Sequence, residues 1–369
     1  MRDAETRRRI RTATGRSLLV EAAAGTGKTT LIVGRILQGV RTGHIQLRDT
    51  VAITFTEKAA GELEERLRRE LSKELHAADL SAEERARVRR AVRELDRAQI
   101  STIHAFCARL LREKPAEAGV DPEFEVMEAT AAGLLQDRCW RDWMDEHVAE
   151  SDPVLVEALR AGVRGSDLRG AAFALADAPE ILEMEQFDLP EPEGNLGRMT
   201  AELREAAKAA AEVFDHPFPG RSNANYRGLR RLSADVAAAS DDVAVRRLGY
   251  EVAGLDPENA LKSFKKDERE AARQPLADFV EAARGLGRHL AARVFGWARG
   301  FVGRYRQAKR KRSALDFQDL LLLSARMLRE KVSVRRHFQR RFGAIFVDEF
   351  QDTDPLQAEL IGYLCEDPS

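Results

Sequence analysis

Cysteine is scarce in this sequence: Cys107, Cys139 and Cys365 are the three present in 369 residues, and none forms a C-x-x-C pair. That excludes a disulfide framework and a zinc ribbon, and it makes a reducing, cytoplasmic setting the expectation. His104 and Cys107 form a lone H-x-x-C, but two ligands do not make a metal site, so core packing is the plainer reading. No apolar run approaches the roughly 20 residues that cross a bilayer, and no signal peptide opens the chain, so no membrane partner is expected. Net charge is also lacking. Sixty Lys and Arg against 61 Asp and Glu leave −1, which argues neither for nor against nucleic acid. Two runs are locally basic, MRDAETRRRIRTATGR at the start and GRYRQAKRKR at Gly303 to Arg312. Solvated helix faces are the simpler account of each. No repeat and no low-complexity tract is visible.

The chain is 44% hydrophobic and 33% charged, and its length suits two or three folding units. Its first hundred residues alternate in type. SLLVEA (Ser17 to Ala22) reads as a buried strand, Lys28 to Gln38 as a helix, TVAITFT (Thr50 to Thr56) as a second strand, and Glu57 to about Leu75 as a charged amphipathic helix. Such alternation predicts a parallel sheet covered on both faces. From about Pro115 to Arg312 the sequence is rich in Ala, Arg and Glu with helical periodicity. Two loops, FDLPEPEGNLG and HPFPGRSNANYRG, interrupt it. The sheet pattern then returns in GAIFVDE (Gly343 to Glu349). The expectation is a discontinuous α/β domain with a mostly α-helical insertion, divided as residues 1–115, 116–312 and 313–369.

Ala22 to Thr29 has P-loop spacing, a small residue and four positions before Gly-Lys-Thr. Gly25 and Gly27 let successive N–H groups turn inward toward phosphate oxygens. Lys28 supplies a mobile charge for the outer phosphates, and the Thr29 hydroxyl suits Mg²⁺. Ala22, Ala23, Ala24, Gly25, Thr26, Gly27, Lys28, Thr29 and Thr30 are thus the expected ATP cradle. An acid at the end of another strand should complete it. In AIFVDEFQD, Asp348 is placed to hold the metal through its water shell, and Glu349 to orient or deprotonate the attacking water.

The motif order resembles the UvrD/Rep helicases of superfamily 1, and within them the RecB and AddA helicase–nuclease subunits. EAAAGTGKTT, AITFTEKAAGELEERL (Ala52 to Leu67), ISTIHAFCARLLRE (Ile100 to Glu113) and VDEFQDTDPLQ (Val347 to Gln357) match successive family motifs. TIHAFC and LDFQDLLLLSARML (Leu315 to Leu328) tilt the likeness toward RecB and AddA. The resemblance implies a RecA-like P-loop lobe that couples ATP hydrolysis to movement on single-stranded DNA and at duplex junctions, with a nuclease or helicase partner subunit. It implies DNA contacts from Thr54, Phe55, Thr56, Ser101, Thr102 and His104, and coupling through Gln351 and Asp352. An aromatic face stacks any base, which suits a motor indifferent to sequence. By pattern alone, a core phenylalanine fits Phe55 equally well.

Two departures from the family stand out. Its adenine-reading glutamine aligns with Thr6, so Asp3 and Arg7 are the residues able to replace that contact, and strict adenine preference is not expected. The sequence also stops one helix after the acidic motif, before a second RecA-like lobe. The expectation is therefore the N-terminal part of a longer helicase, weakly active alone. The alternative is a truncated, non-motor module that binds ATP and DNA. Trp297, Phe301 and Tyr305 recur at four-residue spacing, predicting an aromatic core stripe with a solvated basic end beyond it; the alternative is a basic end that guides duplex DNA along the helical insertion.

Overall fold

A computed structural model of the chain describes residues 2–13, 15–23, 26–178, 196–214, 222–266 and 268–366. The chain forms two compact units, residues 1–129 with 312–369, and residues 130–311. In the first unit, α1 (Arg2–Thr12) precedes the glycine-bearing turn and α2 (Lys28–Thr42) follows it. β1 (Thr50–Thr54) leads into α3 (Glu57–Leu75), whose N-cap Thr56 accepts from the Ala59 amide at 3.1 Å. A reciprocal Ser81–Glu84 capping box opens α4 (Ala82–Glu94). β2 (Gln99–Thr102) then runs straight into α5 (Ile103–Glu113), followed by α6 (Pro115–Ala118) and β3 (Glu125–Val126).

Helix α7 (Ala129–Ala149) carries the chain into the second unit. There follow α8 (Pro153–Arg160), α9 (Gly165–Asp177), α10 (Leu196–Glu212), α11 (Ala224–Ala238), α12 (Asp242–Val252), α13 (Pro257–Leu261) and the 42-residue α14 (Arg269–Arg310). The chain re-enters the first unit through β4 (Ala314–Leu315), which pairs in parallel with β3. It ends with α15 (Phe317–Glu330), α16 (Val332–Arg341), β5 (Ala344–Val347) and α17 (Pro355–Cys365).

The main sheet is parallel throughout, in the order β2-β1-β5. Alternation along β1 feeds two cores. Val51 and Ile53 face α5, α15, α16 and α17, among Phe106, Leu110, Leu320, Phe338 and Leu360. Ala52 faces the opposite layer, where Val33, Ile36 and Val40 of α2 pack with Leu63, Leu67 and Leu71 of α3 and Val88 of α4. Helices therefore cover both faces of the sheet, as the alternating sequence predicts.

One expected strand is missing. Ser17 to Ala22 forms no ladder, and Leu18, Leu19 and Val20 are exposed, Leu19 at 76%. A strand has no local hydrogen bonds of its own, so an apolar run becomes one only where a neighbour's edge takes it up. The residues just before the segment are tied to a helix. Arg35 of α2 donates to the carbonyls of Ile10 and Arg16, each at 2.6 Å.

In the second unit, α10 to α14 enclose a core containing Leu203, Tyr226, Leu229, Phe279 and Leu286. The aromatic stripe is core too. Trp140 of α7 meets Trp297 and Phe301 edge-on, with ring centroids 5.8 and 5.5 Å apart. The basic end is less solvated than expected. Arg310 and Lys311 are exposed, but Lys309 is only 4% exposed, its ammonium 4.5 Å from the Tyr305 ring centroid. The expected loop FDLPEPEGNLG lies almost wholly outside the described residues. Of HPFPGRSNANYRG, Ala224 to Gly228 are helical, because Asn223 caps α11 by accepting from the Tyr226 amide at 2.9 Å. No helix among the described residues is long and apolar enough to cross a membrane.

Candidate nucleotide site

The turn before α2 is shaped by its own backbone. Gly27 takes φ 89°, a left-handed conformation that suits only glycine, and it opens the helix without a side-chain cap. The first N–H groups of α2 are thereby left for an anion, and the helix dipole favours negative charge there. Thr26 folds back onto the preceding residues, its hydroxyl donating to the Ala23 carbonyl at 2.6 Å. Arg7 of α1 closes the turn from outside, donating to the Thr26 carbonyl at 2.9 Å. Ala24 and Gly25 lie outside the described residues.

Residues more than 300 positions apart meet at this turn. The Asp348 amide donates to the Ile53 carbonyl at 2.9 Å, which extends the β5–β1 ladder and delivers Asp348 and Glu349 to the mouth of α2. Lys28 Nζ forms an ion pair with Glu349, and Thr29 Oγ1 donates to Asp348 Oδ2 at 3.2 Å. Glu349 itself is left-handed at φ 54°, and the Asp348 carboxylate accepts from its amide at 3.0 Å. Gln351 also donates to the Glu349 carboxylate. Hydrogen bonds from Lys28 and then Gln351, reinforced by the Lys28 charge, hold the Glu349 carboxyl below its ordinary value. Thr29 and Asp348 together present hard oxygen donors that fit Mg²⁺. A groove of about 1370 Å³ adjoins the site, with Leu18, Leu19 and Val20 along one side and Ile345, Phe346 and Val347 along another.

The residues expected to touch DNA are divided by burial. Phe55 follows the tip of β1 and is 68% exposed, so the core reading of this residue does not hold, and Thr56 beside it is exposed as well. Thr54, Ser101 and Thr102 are buried. The Thr54 hydroxyl donates to the Thr56 carbonyl at 3.0 Å, and Thr102 both caps α5 and donates to Glu57 at 2.8 Å. Ser101 Oγ is buried and has no hydrogen-bond partner among the described residues. His104 is half-buried and stacks on Phe317, with centroids 4.7 Å apart. Burial pushes its imidazole below the ordinary 6.5, with Asp354 opposing. Cys107 is wholly buried, which raises its thiol to about 12, so the cysteine of the H-x-x-C is core; no group of three or more His, Cys, Asp or Glu that could hold a metal occurs among the described residues.

Sequence reasoning missed three of the residues gathered here: Glu57, Phe317 and Arg66, the last donating to Thr30 Oγ1 at 2.7 Å. Glu57 and Arg66 belong to a helix of alternating charges, where no local pattern singles out either one.

The family model for the UvrD/REP helicase N-terminal domain matches residues 3–369. Among curated proteins, the A subunit of the ATP-dependent helicase/nuclease of Ligilactobacillus salivarius is 27% identical over 407 residues, covering 94% of this chain and 32% of its own. Its counterpart in Carboxydothermus hydrogenoformans is 28% identical over 408 residues, covering 96% and 34%. That of Alkaliphilus metalliredigens is 25% identical, covering 95% and 32%. The chain thus spans about a third of the length of the curated relatives it matches.

Proposed function

The chain belongs to the UvrD/REP helicase family through its N-terminal domain, and from that premise we propose that it is the ATP-binding portion of an ATP-dependent DNA helicase of the AddA kind. The first unit is then a RecA-like lobe, and residues 130–311 are its inserted helical subdomain. The parent enzyme would track along single-stranded DNA and act at duplex junctions during double-strand-break processing, together with a nuclease or helicase partner subunit.

The observation that carries this reading is the meeting of Lys28 and Thr29 with Asp348 and Glu349 at a helix N-terminus. Arriving phosphates would draw Lys28 from Glu349 toward the outer phosphates, while the α2 amides hold the others. Thr29 and Asp348 would hold Mg²⁺, which when bound neutralises charge on the phosphate oxygens. Once Lys28 leaves, Glu349 loses the partner that depresses its carboxyl, becomes the stronger base, and orients or deprotonates the attacking water. Gln351 and Asp352 sense that change beside it. Ser17 to Glu21 would complete the sheet along the open edge of β5, covering the groove.

At the strand tips, Phe55 would stack a base, Thr56 and His104 would meet the strand beside it, and the buried Thr54, Ser101 and Thr102 would hold those tips in place. Binding should be indifferent to base sequence and should weaken as salt rises, because each phosphate contact releases counterions. Fluorescence anisotropy with labelled single-stranded oligonucleotides tests this reading. Phe55→Ala should cost about 1–3 kcal/mol, the usual worth of one stacked base, without lowering the melting temperature. Unchanged affinity in the folded variant removes Phe55 from the DNA track.

A further inference from the structure

Helix α3 touches both ends of the proposed machinery. Its N-terminus follows Phe55 directly, is capped by Thr56, and is joined to the end of β2 where Thr102 donates to Glu57 at 2.8 Å. Nine residues further on, about 13 Å along the axis at 1.5 Å per residue, Arg66 donates to Thr30 Oγ1 at 2.7 Å. Thr30 belongs to the first turn of α2 and borders the phosphate turn itself. A Cβ built on Gly27 would come within 3.4 Å of the Thr30 hydroxyl. Between these two ends, Leu63, Leu67 and Leu71 of α3 share a core with Val33, Ile36 and Val40 of α2. Close packing of this kind resists compression and transmits strain.

Neighbouring arginines show what an ordinary surface position on α3 does. Arg69 pairs with Glu65 one turn back at 4.0 Å, and Arg68 pairs with Glu64 one turn back at 2.9 Å and with Asp96 at 2.8 Å; both arginines are exposed. Arg66 is half-buried and reaches 36 positions back in sequence to the helix that opens on the cradle.

We propose that Arg66 is a positioning residue that couples single-stranded DNA at the Phe55 end of α3 to nucleotide at Lys28, acting through Thr30. The inference rests on the function proposed above. A base stacking on Phe55 displaces the N-terminus of α3. Arg66 passes that displacement to the first turn of α2, whose amides and Lys28 meet the phosphates. Coupling of this kind is reciprocal, so nucleotide must alter DNA affinity by the same factor as DNA alters nucleotide affinity.

The test measures the affinity of residues 1–369 for a fluorescein-labelled oligothymidylate, without and with a saturating non-hydrolysable ATP analogue plus Mg²⁺. Affinity for a fluorescent ATP analogue is measured separately. In the wild-type chain the two DNA affinities should differ by a factor in the usual coupling range of about 5–150. Arg66→Met keeps the apolar stem. It should bring the ratio close to one, and Arg66→Lys should recover part of the ratio. A folded Arg66→Met chain with undiminished coupling overturns the proposal, as does a wild-type chain that binds both ligands with a ratio of one. Loss of both separate affinities together with a lower melting temperature shows a purely structural arginine and overturns it too. A wild-type chain that binds neither ligand overturns the underlying function and this inference with it.

Discussion

Glu349 is held left-handed at φ 54° with Lys28 on its carboxylate. A non-glycine residue in that region carries of order 1–3 kcal/mol of strain, and such residues persist where surrounding structure fixes them. Here Asp348 does so through the Glu349 amide. The Lys28–Glu349 pair is partly exposed, so it is worth only about 0.2–1 kcal/mol, and a nucleotide bound as we propose would give that up to engage Lys28. Glu349→Gln removes both the competing partner and a negative charge facing the phosphates. The variant should bind Mg²⁺-ATP analogue more tightly than wild type, by at most about fivefold, while hydrolysis falls by the roughly 10²–10⁴ that a positioned general base contributes. Equilibrium titration and phosphate release measure the two effects. Weaker nucleotide binding in Glu349→Gln would show that the ion pair supports the site rather than occupies it.

At the scale of elements, local chemistry decides how much can be read from sequence. The boundaries of α3 follow from Thr56 as its cap and from apolar spacing at Leu63, Leu67 and Leu71, so Glu57–Leu75 is legible. β1 and β5 are short apolar runs between turns, and both are found where the pattern puts them. Ser17 to Ala22 has an equally apolar pattern and forms no strand, because pairing is a long-range property that the local pattern does not decide. Arg66 is illegible for a related reason: its partner Thr30 is distant in sequence. The open edge of β5 and the exposed Leu18 to Val20 line one groove, and apolar surface of this kind gains by closing. Hydrogen exchange should therefore find the Leu18, Leu19 and Val20 amides unprotected in the free chain and protected once Mg²⁺-ATP analogue is bound. Equal exchange in both states would show that the segment does not join β5.

At the scale of the whole molecule, binding and turnover are separate matters. Phosphoryl transfer needs fixed positive charge on the transferred group, and in P-loop enzymes an additional arginine is worth 10³–10⁵ in rate. Lys28 supplies one such charge. We assign Lys28 alone to the transferred phosphate, Arg7 and Arg66 being bonded to the Thr26 carbonyl and to Thr30, so residues 1–369 should hydrolyse ATP slowly and leave a tailed duplex unopened. Nucleotide binding therefore tests the site more directly than catalysis does. The decisive measurement is an equilibrium titration of residues 1–369 with a fluorescent ATP analogue and Mg²⁺, for wild type and Lys28→Ala in parallel. Wild type should bind saturably, and a Lys28→Ala chain of unchanged melting temperature should bind at least tenfold more weakly. Equal affinity in the two chains, or no binding by wild type, would contradict the phosphate cradle at Lys28.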